Sequence, residues 1–292
     1  MKKLTVVLAP RFLLIINTSC LDNDNNENNT YATYSFSGYN FITDTDGNAV
    51  IKNATYTVSM NITNMTASVK VESAYTQDGT PMAFLFTDVP MTVDNEGYII
   101  KIDDMIPQVS DGTASDYRVQ QLSIKMLAYT TDGNDAYVMM QSSYRISGKY
   151  DVCSLMILPS GTPLTYLDCT TTTAGMGEPF TTTGTTYEVK ITSPTTADVT
   201  LKDAQFMDKM PQQTIQLKNV PIVATTNGYR IEAAEVVPCI NDVPFEKYKI
   251  TNLYLSTFNK AKSFNLKFNC TYSGITFKIV ANANLFPKTN EK

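Results

Sequence analysis

The sequence has no histidine and no tryptophan among its 292 residues. Without imidazole, no Ser-His or Cys-His nucleophile can be assembled, and no histidine can ligate a metal. Charged residues are scarce at 17%, against about 25% in an average soluble domain. The 23 basic residues form no block. Nucleic-acid binding needs a cationic footprint, so no nucleic-acid partner is expected. Beyond the N-terminal segment, no apolar run approaches the ~20 residues of a membrane helix. Neither a G-x-S-x-G elbow nor a phosphate-cradling glycine loop is present. These gaps point away from an enzyme, and no cofactor or metal is expected.

What is present is Thr, Asn, Ser and Tyr, with 43% apolar residues. That mix suits pleated strands with polar outer faces, joined by Asn/Asp/Gly turns.

The first twenty residues read MKKLTVVLAPRFLLIINTSC. Lys2 and Lys3 form a positive start, two apolar stretches follow (Leu4–Ala9 and Phe12–Ile16), and Thr18 and Ser19 precede Cys20. This pattern reads as a secretory signal over residues 1–19 ending at a lipidated Cys20. Two acyl chains would hold the protein stably at a membrane where one would not. Pro10 and Arg11 interrupt the apolar region, so a cleaved, unlipidated signal is the alternative. Cleavage after residue 19 removes Lys2, Lys3 and Arg11 and no acid, shifting the net charge from -5 to -8. Residues 20–29, with Asp22, Asp24 and Glu27 in an Asn tract, read as a solvated acidic tether. That acidic patch resembles the surface-export signal of Bacteroidetes lipoproteins and implies an outer-membrane location, facing the periplasm or the cell surface.

The second half of the chain repeats the first. FTDVPMTVDNEGYIIKIDDMIPQV from Phe86 aligns without a gap, at an offset of 131, with LKNVPIVATTNGYRIEAAEVVPCI from Leu217. Val89-Pro90, Gly97-Tyr98, Pro107 and Tyr117 recur as Val220-Pro221, Gly228-Tyr229, Pro238 and Tyr248, and Tyr56 recurs as Tyr187. A period of that size is a domain, not a solenoid unit. It places one repeat at 30–157, a stiff linker at 158–167, a second repeat at 168–287 and a tail at 288–292.

Within each repeat, apolar residues alternate with polar ones. Val69 and Val71, Phe84 and Phe86, and Ile100 and Ile102 do so in the first; Tyr187, Val189 and Ile191, and Phe264 through Tyr272, do so in the second. Period two over short runs, with turn residues between, specifies antiparallel sheet with one buried face. The expected fold class is all-β: two tandem antiparallel meander barrels, or alternatively sandwiches. The run ADVTLKD…IQLKNVPI…GYRIE at 197–232 resembles the calycin-like (lipocalin-like) β-barrel domains of Bacteroidetes surface lipoproteins. The resemblance covers both repeats. It implies eight-stranded barrels and carries over no catalytic residue.

Candidate chemistry is thin. Asp103-Asp104 is an adjacent carboxylate pair, but neighbouring strand residues point to opposite faces and cannot jointly flank a glycosidic bond. Asp44–Asn48 begins like a calcium loop, yet Ala49 and Thr55 stand where an EF-hand loop needs Gly and Glu. A hairpin turn is the simpler reading. Gly97 and Gly228 are read as turn glycines, and Pro90 and Pro221 as strand-edge prolines. Four cysteines lie beyond the anchor. Cys239 and Cys270 are jointly absent from the first repeat, where Gln108 and Ser142 align with them, as a bridge requires; Cys153 and Cys169 flank the linker. Bridges Cys239–Cys270 and Cys153–Cys169 are expected, with a small buried thiol as the alternative for Cys270.

The function expected is therefore non-enzymatic: a lipid-anchored surface protein that binds a small apolar ligand, a glycan or a protein partner. Filled barrels serving as structural or adhesive spacers are the main alternative, and a hydrolase working through carboxylates alone is a third.

Overall fold

The computed structural model describes residues 31–74, 82–94, 97–109, 117–130, 136–175 and 177–285. The signal sequence, Cys20 and the tether lie outside them. No helix occurs among the described residues. The chain divides into two compact units between Gly161 and Thr162.

The first unit holds β1 (Tyr31–Asp44), β2 (Ala49–Asn61), β3 (Thr66–Ala74), β4 (Met82–Asp94), β5 (Gly97–Met105), β6 (Val119–Thr130), β7 (Ala136–Ile146) and β8 (Tyr150–Leu158). Each strand pairs antiparallel with the next, and β1 meets β8 from Asn40↔Ser154 to Asp44↔Tyr150, closing the barrel. The sandwich alternative is thereby set aside. The sequence alternation puts Phe36, Tyr56, Phe84, Phe86, Met126 and Met140 inside, each at most 1% exposed. An eight-stranded ring has an interior just wide enough for side chains to fill, and these large residues fill it.

The second unit contains β9 (Leu164–Tyr166), β10 (Asp168–Ala174), β11 (Phe180–Thr182), β12 (Thr186–Ser193), β13 (Thr196–Ala204), β14 (Gln213–Thr225), β15 (Gly228–Val236), β16 (Cys239–Ile240), β17 (Val243–Pro244), β18 (Tyr248–Phe258), β19 (Ser263–Tyr272) and β20 (Ile275–Asn284). Its sheet curls back through the segment 164–174: β9 pairs with β12 at one end, and β10 pairs with β20 at the other. The strand equivalent to β1 is split at Leu167, and the strand equivalent to β2 is split between β11 and β12. Both halves keep one antiparallel register, Tyr166↔Tyr187 and Thr171↔Thr182. The linker is accordingly shorter than the sequence suggested, because Leu164–Tyr166 already belongs to the second sheet.

Strand registers confirm the duplication. Asp94↔Gly97 and Met91↔Ile100 in the β4–β5 hairpin recur 131 residues later as Thr225↔Gly228 and Ile222↔Ile231. The bulge between Ala67 and Val69 recurs between Ala197 and Val199. Asp88 and Asn219, both left-handed at φ 54, supply the extra residue, a conformation that Asp and Asn tolerate well. Pro90 and Pro221 follow these bulges, where β4 and β14 leave one neighbour for the next. They are bulge-flanking prolines within long strands, rather than edge prolines as expected.

Gly97 and Gly228 are needed for more than a turn. A Cβ on Gly97 would sit 2.1 Å from the Met126 carbonyl oxygen, and one on Gly228 2.6 Å from Thr257 Oγ1. Met126 and Thr257 are themselves 131 apart, so both copies press a neighbouring strand against the same glycine.

Candidate functional site

Inside the first barrel, the Tyr56 hydroxyl donates to Asn40 Oδ1 at 2.8 Å and lies 3.2 Å from Ser154 Oγ. Ser154 also donates to Asn40 Oδ1. Asn40 Nδ2 is buried with no partner among the described residues. The second barrel repeats the arrangement more sparely. Tyr187 and Thr171, the counterparts of Tyr56 and Asn40 at offset 131, share a hydrogen bond of 2.7 Å. Burial pushes the phenols of Tyr56 and Tyr187 up, so both remain protonated donors at neutral pH. Nearby, the Tyr166 hydroxyl lies 3.0 Å from that of Tyr229 and donates to the Ala261 carbonyl. Phe264 is edge-on to Tyr166 and Tyr187, with centroids 4.7 and 5.4 Å away. Each set of bonds ties strands together within its own barrel. They are structural polar hubs.

The two copies diverge at several places, including the β2–β3 hairpin, where Asn61↔Thr66 becomes the tighter Ser193↔Thr196, and the β7–β8 hairpin. In the first copy, β7 and β8 end at the pair Ile146↔Tyr150, closed by Ser147-Gly148-Lys149. In the second, the equivalent pair is Cys270↔Phe277, and the hairpin runs on through Thr271↔Thr276 and Tyr272↔Ile275. The extension carries Tyr272 and Ile275 beyond the rim. A groove of about 490 Å³ lies against them, completed by Phe180 of β11, Phe206 and Met207 after β13, and the buried Phe277. Its volume is in the range of small-molecule sites. Glu178, Asp208, Ser273 and Thr173 supply its polar lining. An aromatic series continues from its edge, with Tyr272, Tyr248 and Phe245 in successive edge-to-face contacts at 5.0 and 4.9 Å. The sequence showed Ser273-Gly274 as a tight turn, but the comparison that mattered was hairpin length: three residues separate Ile146 from Tyr150, whereas six separate Cys270 from Phe277.

The residues singled out from sequence lie elsewhere. Cys153, Cys169, Cys239 and Cys270 are all buried free thiols, which corrects the expected bridges. The pairing Cys239–Cys270 rested on a misalignment. Cys270 faces Ile250 as Ile146 faces Val119, so its counterpart is Ile146 and not Ser142. Cys239 lies on β16, which pairs only with β14 and β17, while Cys270 lies on β19 between β18 and β20. Cys153 and Cys169 are each buried in their own unit, on β8 and β10. Cys169 Sγ donates to the Tyr166 carbonyl at 2.9 Å. Burial pushes its thiol up to about 12 and that of Cys270 up to about 11, which makes both poor nucleophiles. They behave as small hydrophobes, the alternative allowed for Cys270.

Asp104 is held by Arg118 in a bidentate surface pair, and Glu235 and Lys249 repeat that pair one period later at 2.7 Å. The duplicated carboxylate braces β5 to β6 and β15 to β18. Asp44 Oδ1 accepts from the backbone of Asp46 and Asn48 at 2.9 and 2.8 Å, while Asn48 Nδ2 donates to Oδ2. Those bonds make the segment a hairpin turn closed on itself. Among the described residues, no group of three or more acidic or cysteine side chains is placed to hold a metal.

Fold and registers thus define an all-β chain of two tandem antiparallel barrel units. No protein-family model matches the chain, and no curated protein matches it.

Proposed function

We propose that this chain is a lipid-anchored binding protein of the outer membrane, attached through Cys20, whose second barrel takes a small ligand in the rim groove beside Tyr272 and Ile275. The observation that carries the binding reading is the lengthened β19–β20 hairpin. It is a place where the second copy is longer than the first, and the added residues line an apolar recess over a filled interior. Buried tyrosines and phenylalanines occupy the lumen, so the ligand sits at the mouth of the barrel instead of deep within it. The anchor rests on Lys2-Lys3, the apolar stretches and Thr18-Ser19-Cys20, together with the acidic tether that follows.

Replacing Thr271–Thr276 by the first copy's Ser-Gly-Lys turn removes the groove wall and leaves the pair Cys270↔Phe277 intact. Nile red, a neutral apolar dye, should brighten with the parent chain and not with this variant; equal brightening would remove the groove from consideration. Mass spectrometry of membrane-extracted protein should find acylated Cys20 as the first residue. A mature chain that starts elsewhere would overturn the anchor. The filled interiors also favour a second reading, in which the barrels act as spacers; it requires that neither chain bind the dye.

A further inference from the structure

We propose that the rim groove of the second barrel selects a small organic cation, with an aryl or alkyl body and a single ammonium group. This rests on the groove being a binding site and adds the class of ligand. The charged side chains lining it are Glu178 and Asp208, and no Lys or Arg is among the lining residues. Both carboxylates are exposed on connecting segments, whereas Phe206 and Phe277 of the same lining are buried. Elsewhere in this unit, Glu188, Glu232, Glu235 and Asp242 are matched by Lys202, Arg230, Lys249 and Lys218, while Asp168, Asp198, Asp203 and Glu246 form no ion pair with a described residue. Glu178 and Asp208 form no ion pair with a described residue. Lys209 and Lys278, next in sequence to Asp208 and Phe277, are not part of the lining.

The chemistry of each ligand class follows from that lining. An anion entering the groove would meet two like charges and no cationic donor, the juxtaposition that makes an interface reject a partner. A neutral apolar molecule gains burial against Phe180, Phe206, Ile275 and Phe277, and nothing from the carboxylates. A cation with the same body gains the same burial and the attraction of both carboxylates. It also gains the negative ring faces of Phe180 and Tyr272, which draw an ammonium placed over them. With no histidine in the chain, no imidazole can reverse this preference between pH 5 and 8.

The test uses three ligands with one body and different charge: phenylbutylamine, phenylbutanol and phenylbutanoate. Each is titrated calorimetrically into the full chain carrying Cys20→Ser, so that no attached lipid competes. The amine should bind about tenfold more tightly than the alcohol, the gain expected from two exposed charge pairs and a ring face. The carboxylate should bind more weakly than the alcohol. In the double variant Glu178→Gln, Asp208→Asn, the amine should fall to the alcohol's affinity while the alcohol is unchanged. Raising the salt concentration should shrink the amine's advantage alone. An amine no tighter than the alcohol, or an advantage that survives the double variant, overturns the cation proposal and leaves the apolar groove standing. If the alcohol itself fails to bind, or binds equally well after the Ser-Gly-Lys replacement, the underlying binding reading fails instead.

Discussion

Tyr56 and Tyr187 show how much one duplicated side chain can reveal, and where it stops. The offset of 131 marks both tyrosines in the sequence. Their partners are hidden there, because Asn40 and Thr171 stand at matching positions with different side chains. The chemistry persisted while the identity changed: each position offers an oxygen to a buried phenol. The two hubs differ in redundancy. Asn40 Oδ1 also accepts from Ser154, whereas Thr171 has Tyr187 as its side-chain partner. Tyr187→Phe should therefore cost about 2 kcal/mol and Tyr56→Phe about 1 kcal/mol, since a buried group left without any partner bears the larger penalty. Urea titrations monitored separately for each barrel would check this; equal losses would mean that the hubs are equivalent. The cysteines teach the opposite lesson. Their pairing was inferred from an alignment without strand registers, and a shift of four residues in β7 turned Ile146 into Ser142 as the supposed counterpart of Cys270.

At the scale of elements, strands were legible wherever apolar residues alternated, and the hairpins wherever Gly followed Asn or Ser. Interruptions were not. Nothing in the alternation announces that the β1 equivalent breaks at Leu167, because single residues inserted on facing strands compensate and leave the register intact. The bulges are similarly quiet in sequence. Gln121 and Asn252 hold the left-handed conformation at the same place in β6 and β18, both with φ 53. Asn accepts that region readily, while Gln pays for it. Gln121→Gly should stabilise the first barrel by roughly 0.5–1 kcal/mol, a relief of strain visible as a higher urea midpoint with unchanged slope. A loss of stability would show that the Gln121 side chain contributes more than its backbone costs. The groove belongs to this scale as well. Its walls come from hairpin length, and length is meaningful only once the two copies are aligned strand by strand.

For the molecule as a whole, composition and repetition were enough to fix fold class and copy number, since closing an amphipathic meander is what hides both its apolar face and its edges. Buried protons set its response to base. The folded chain raises the pKa of the Cys169 and Cys270 thiols, to about 12 and about 11, and raises the phenols of Tyr144, Tyr166 and Tyr229 as well. Between the unfolded thiol range, roughly pH 8.5, and these higher values, the unfolded chain binds fewer protons than the folded one. Stability is complete below that window and is lost as pH rises through it, so the urea midpoint should hold from pH 7 to 8 and fall steadily toward pH 11. A flat profile to pH 11 would mean that these groups titrate normally. One further consequence lies in the seam of the first barrel. β1 and β8 are antiparallel neighbours, so the chain enters and leaves at the same rim, and their contact is the short ladder from Asn40↔Ser154 to Asp44↔Tyr150. Tension between an anchor at the N-terminus and a load beyond Leu158 would pull those two strands apart from one end, parting the rungs singly instead of shearing them together. If Cys20 carries the lipid proposed above, the first barrel would act as a mechanical fuse, paying out its strands before that anchor leaves the bilayer.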